Sequence, residues 1–163
     1  MIIKNLNKNF LVNLFLVLSI FIFDRFSKIY LIYLDKKYIG SEIFSSKFLN
    51  IRLIWNEGIA FGLLSFQDGK FYNFLTIIIL IIILYILFLF KDAYGVKKYA
   101  LLMIIGGAIG NLFDRIIYNA VPDFIDFHVG NFHWFIFNVS DIFITLGVIL
   151  LISYEIINGK EIK

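Results

Sequence analysis

The sequence predicts an all-α membrane protein: four transmembrane helices, with a small extracytoplasmic sheet or flap between the first and the second. Two observations carry this. Of 163 residues, 61% are hydrophobic and 17% charged, with a mean hydropathy of +0.89, far from the balance of a soluble domain. Four segments then meet the length of roughly 20 apolar residues needed to cross a bilayer, at about 10–34, 71–90, 99–118 and 135–157. One integral membrane domain, 1–163, accommodates all four.

The first apolar segment follows Lys4 and Lys8, as in a secretory signal, but it is too long for an h-region. The first alanine is Ala60, so no A-x-A site follows it, and the segment is expected to stay attached. Sidedness comes from Lys and Arg. Lys4, Lys8, Lys91, Lys97, Lys98, Lys160 and Lys163 fall on one side; Lys36, Lys37, Lys47, Arg52 and Lys70 fall on the other. Three of the first set crowd the short KDAYGVKK loop, where the positive-inside rule weighs most, whereas 119–134 has none. Both termini are therefore expected in the cytoplasm, with about 35–70 and 119–134 outside. Within the longer outer segment, FLNIRLIWN alternates Leu49, Ile51, Leu53 and Trp55 with Asn50, Arg52 and Asn56, the period of a strand. NEGIAFG then breaks it at Gly58 and Gly62.

Charges inside a span mark pairing or function, which directs attention to Asp24, Arg25, Lys28, Asn111, Asp114, Arg115 and Asp141. From these spans, Asp114 lies about 6 Å and Asp141 about 9 Å below the outer ends of the third and fourth helices. Asp123 follows the third helix and can fold back over the same layer. Asp24 and Lys28, at i,i+4 spacing, read as a structural polar pair. Gly106 and Gly110 form a small-xxx-small pattern for close helix approach, and Asp114 with Arg115 can bond neighbouring helices. Asp126 reads as a solvated or hydrogen-bonded acid. His128 and His133, five apart in a loop, read as interfacial rather than as metal ligands. Asp141 is different, having no Lys or Arg within a helical turn.

Several classes are excluded. There is no cysteine, so thiolate catalysis, disulfides and Cys-bound metal are absent. HExxH and GxSxG motifs are absent too, and the net charge of +3 is dispersed, which disfavours nucleic acid as a partner. No metal and no cofactor is expected. A carboxylate without a cation is held in a membrane by remaining protonated or by sharing a proton with a second carboxyl, for which Asp123 is the candidate partner of Asp141. Such a dyad is the apparatus of an aspartic protease. The alternative is a small proton-coupled transporter or channel subunit, which would distribute acids along a path through the membrane. Here the core of the second helix is free of charge.

Five motifs in order, DRFSK, NEGIAFG, GGAIGNLFDR, VPDFIDF and FNVSD, closely resemble those of the lipoprotein signal peptidases (signal peptidase II), over essentially the whole chain. The resemblance implies an aspartic endopeptidase in a bacterial inner membrane, with its site toward the outer leaflet. Its substrates are diacylglyceryl-modified prolipoproteins, cut before the lipidated cysteine, and a monomer is expected. By the same resemblance Asp123 and Asp141 match the catalytic pair, and Asn56, Gly58, Asn111, Asp114, Arg115 and Asn138 match positions that shape the site or contact substrate. Asp24 and Lys28 match the first-helix motif. An outer β-cradle and a mobile periplasmic helix are implied as well. The chain departs from the family pattern at Arg25, Pro122 and Ser140, where glutamine, a β-branched residue and alanine are usual.

Overall fold

The computed structural model describes residues 2–58 and 69–158. Their order is α1 (Ile2–Lys37), β1 (Phe44–Ser45), β2 (Leu49–Asn56), α2 (Gly69–Phe90), α3 (Gly95–Tyr118), β3 (Val121–Val129), β4 (Phe132–Phe137) and α4 (Val139–Asn158). Four of these helices are long and apolar enough to cross a membrane. Helix α3 packs against the other three, and 61% of its apolar window is buried against 11% in each of the others. It is the hub of a bundle whose outer faces carry exposed Phe, Ile and Leu, as contact with lipid requires.

Close approach to α3 depends on small residues. A Cβ at Gly107 would lie 2.5 Å from the Ser140 carbonyl oxygen of α4, and one at Gly147 would lie 2.7 Å from the Ala100 carbonyl oxygen of α3. Backbones in contact at this distance leave no room for a methyl group. Gly106 faces Ile20 of α1, while Gly110 faces Asp24 of α1 and Ser140 of α4.

The sheet is larger than the sequence suggests. The alternation over 48–56 does form β2, but the segment expected as a loop at 119–134 supplies β3 and half of β4, and the four strands pair antiparallel in the order β1-β2-β3-β4. Helix α3 ends at Asn119, whose left-handed φ of 54° and N–H bond to the Arg115 carbonyl oxygen (3.2 Å) turn the chain into β3. Gly130, at φ 58°, takes part in the two-residue turn between Val129 and Phe132. Pro122 is tolerated because β4 reaches only as far as Ile125, so at Pro122 the strand has β2 as its single paired neighbour. The fourth helix begins at Val139 rather than Phe135, because Phe135–Phe137 belong to β4. Asp141 consequently lies in the first turn of α4, about 3 Å from its start and not 9 Å deep.

One irregularity has consequences for the site. Ile51 pairs with Ile125 but Ile54 pairs with Asp123, so β2 carries one extra residue between them, a bulge. Side chains alternate faces along a strand, and a one-residue shift exchanges the faces. Asn50 and Arg52 therefore share the face of Asp126, whereas Ile54 and Asn56 share the face of Asp123. Beneath the sheet, Phe124, Leu31 and Val139 form a core that joins β3 to α1 and α4. Gly62 lies outside the described residues.

Candidate active site

The start of α4 is built by the residues of the site. Asn138 is its N-cap: Asn138 Oδ1 accepts from the Asp141 N–H, and Asp141 Oδ2 accepts from the Asn138 N–H, both at 3.1 Å. This reciprocal capping box satisfies two otherwise unpaired backbone donors. A third, the Ser140 N–H, donates to Asp24 Oδ1 of α1 at 2.9 Å. Negative charge at a helix N-terminus is favourable.

Asp123 points from β3 toward the same helix start. Its Oδ1 accepts from Asn138 Nδ2 at 2.5 Å and its Oδ2 from Asn56 Nδ2 at 2.8 Å. Asp141 Oδ1 accepts from Asn111 Nδ2 of α3 at 2.8 Å. The orientation of these three amides follows from their oxygens. Asn56 Oδ1 accepts from the Gly58 N–H at 3.0 Å, Asn138 Oδ1 from the Asp141 N–H, and Asn111 Oδ1 from Lys28 Nζ at 2.9 Å. Each of those partners can only donate, so each NH2 group must turn toward a carboxylate.

Behind Asn111 lies a neutral cluster of two cations and two anions. Arg25 pairs with both oxygens of Asp114 and, at 2.7 Å, with Asp24. Lys28 pairs with Asp24 at 2.9 Å and with Asp114 at 2.6 Å. The expected Asp24–Lys28 pair exists, but as half of this network. Asp114 also answers how Arg25 is neutralised, and the Arg25 guanidinium lies over Phe113, 5.1 Å from the ring centroid. Asp24, Lys28 and Asp114 are fully buried. Arg115 does not pair with its neighbour Asp114; it donates to the Asn111 carbonyl oxygen at 3.2 Å and to the Gly58 carbonyl oxygen at 3.3 Å.

A cavity of about 340 Å³ opens where α3, α4, β2 and β3 meet. Its polar lining is Asn56, Asn111, Arg115, Asp123 and Asp141, joined by Thr145 in an otherwise apolar wall. Of the residues singled out from the sequence, Asn138 sits between the two aspartates, Gly58 borders the cavity through Arg115, and Asp24, Lys28 and Asp114 stand behind it. The Asp123 carboxyl, ordinarily near 3.8, is pushed up to about 7. Burial is the main cause and the charge of Asp141 the second, against the opposing donors on Asn56 and Asn138.

Asp126 is not part of this site. Fully buried on the opposite face of β3, it pairs with Arg52 Nη2 at 3.1 Å and accepts from His133 Nδ1 at 2.9 Å. His128 stacks on His133 with centroids 5.1 Å apart. Among the described residues, no group of three or more His, Asp and Glu side chains is placed to hold a metal.

A sequence model of signal peptidase (SPase) II matches residues 16–157. The chain belongs to the signal peptidase II family. A lipoprotein signal peptidase of Pelagibacter ubique (strain HTCC1062) is 50% identical over 155 residues, covering 94% of this chain and 93% of that protein. One from Anaplasma phagocytophilum (strain HZ) is 35% identical over 141 residues, 86% and 88% of the two chains. A solved structure, described as a bacterial membrane enzyme determined by the in meso method at 2.3 Å resolution, aligns with a TM-score of 0.73 and 34% identity, covering 93% of this chain and 92% of that one. The resemblance carried by the five motifs is thereby borne out. This signal peptidase II family member is a protease and a multi-pass membrane protein.

Proposed function

We propose that the protein is an intramembrane aspartic endopeptidase that removes the signal peptide from diacylglyceryl-modified prolipoproteins, cutting before the lipidated cysteine, with Asp123 and Asp141 as its catalytic pair. The observation that carries this reading is two carboxyl groups on one cavity, each held by asparagine N–H donors, neither joined to a cation by an ion pair among the described residues. The pair shares one proton. Its ionised member takes a proton from a water molecule, which attacks the scissile carbonyl carbon; the protonated member donates to the carbonyl oxygen, giving a tetrahedral diol. Collapse of the diol returns a proton to the dyad and expels the amine with the other. No metal and no cofactor takes part.

Asn56, Asn111 and Asn138 hold the aspartates in place, and Arg115 and Gly58 shape the cavity mouth. Asp114, Asp24 and Lys28 balance charge behind it. The chain acts as one integral membrane domain and as a monomer, with both termini cytoplasmic and the site in the outer leaflet of a bacterial inner membrane. Lipid on the substrate suits this depth, since diacylglycerol stays in the bilayer and fixes the level of the scissile bond.

The decisive experiment incubates the purified protein in lipid with a diacylglyceryl-modified prolipoprotein and reads the product mass. Cleavage is expected immediately before the modified cysteine, abolished in Asp123→Asn and Asp141→Asn but retained in Asp126→Asn. An intact substrate with folded wild-type protein would overturn the reading.

A further inference from the structure

We infer that Lys28 is a positioning residue for the proposed dyad, acting on Asp141 through the amide of Asn111. This inference rests on the assignment of Asp123 and Asp141 above. The Lys28 ammonium is fully buried and meets three acceptor oxygens, Asp24 Oδ1 at 2.9 Å, Asp114 Oδ2 at 2.6 Å and Asn111 Oδ1 at 2.9 Å. An ammonium has three N–H groups and no lone pair. All three are therefore committed, and Asn111 has only one orientation available: oxygen toward Lys28, amino group toward Asp141.

Charge balance explains why the cation stays. Two of its acceptors are carboxylates shared with Arg25, so the cluster is balanced only while Lys28 is protonated. The third acceptor is neutral. The cluster thus anchors Lys28 by its charges and uses the remaining N–H to direct an amide. Polarised through its oxygen, that amide donates more strongly through its nitrogen. A buried charge is in this way felt at Asp141 as an oriented dipole. The other charged groups acting on Asp141 are Asp123 from β3 and Arg115 from α3.

The test separates holding Lys28 from directing Asn111. Asn111→Asp keeps an oxygen acceptor for Lys28 but replaces the donor facing Asp141 with a second carboxyl oxygen, a like charge. Losing a donor to a carboxylate disfavours its ionised form, so the active pH window should move to higher pH. We expect kcat to fall at least about tenfold, the loss typical of a hydrogen bond to a charged group, with KM little changed. The companion variant, Lys28→Met with Asp114→Asn, removes one charge of each sign and frees the Asn111 oxygen. It should show the same upward displacement of the pH window, and combining it with Asn111→Asp should add little.

If Asn111→Asp retains the wild-type kcat and pH window, Asn111 merely holds Lys28 and the inference is overturned, even where the companion variant does not fold. Activity in Asp141→Asn in the same assay would instead overturn the assignment of the dyad.

Discussion

Asn138 is bonded to both aspartates at once: its side-chain nitrogen serves Asp123, while its side-chain oxygen and backbone N–H complete the cap with Asp141. Two substitutions separate those tasks. Asn138→Ala should lose turnover and also about 1 kcal/mol of stability through the missing cap. Asn138→Asp retains a capping oxygen while replacing the donor to Asp123 with a like charge. It should therefore lose turnover with its cap intact, as thermal unfolding in lipid beside the cleavage assay would report. Asp123 itself makes a prediction about pH. Its carboxyl is raised from near 3.8 to about 7, so the folded state holds a proton that the unfolded state has released. The contribution to stability is complete below about pH 4 and lost as pH rises to about 7. The unfolding temperature of Asp123→Asn should gain on wild type across that interval and stay level above it.

At the level of elements, the helices were legible because an apolar run of membrane length has few other meanings. The strand over 48–56 was legible by its alternation. The hairpin was not, although the Gly130-Asn131 pair between the runs now seen as β3 and β4 is a recognised turn signal. It was masked by the apolar run Phe135–Phe137, which merges with α4 when hydropathy alone sets the boundary. Asn138-x-x-Asp141 marks the true start, and reading it as a capping box would have shortened the helix by four residues. The residues gathered on the candidate site were legible as types and positions, but the direction of each amide depends on partners from α1, α3 and β2 that no local pattern reveals. Arg25–Asp114, 89 residues apart, is of the same kind. Element contact also sets a limit that substitution can measure. Gly147→Ala places a methyl group against the Ala100 carbonyl oxygen and should force α3 and α4 apart. A loss of about 1–3 kcal/mol is expected, read as a lower unfolding temperature.

For the whole molecule, the prediction concerns orientation across the membrane. The chain has no cysteine, so a single introduced thiol reports its own side without background. Ile39, just beyond the C-terminal end of α1, is 93% exposed, and Asp92 lies in the exposed turn between α2 and α3. With intact cells stripped of their outer barrier, a membrane-impermeant maleimide should label Ile39→Cys at once. Asp92→Cys should react only after lysis. The reverse pattern would put the proposed site on the cytoplasmic side, where it would not meet translocated lipoproteins.

The bulge in β2 imposes a parity rule on inheritance. The bulge absorbs one odd residue, so a single deletion between Ile51 and Ile54 would leave a regular ladder with Asn56 still on the face of Asp123, whereas a single deletion between Ile54 and Asn56 would turn Asn56 to the face of Asp126 and leave Asp123 with one donor fewer. Deletions of the second kind should be purged from descendants of this gene, while point changes at Leu53 are freer to accumulate than those at Arg52, which pairs with the buried Asp126. The spacing from Ile54 to Asn56 is what lineages must transmit unchanged.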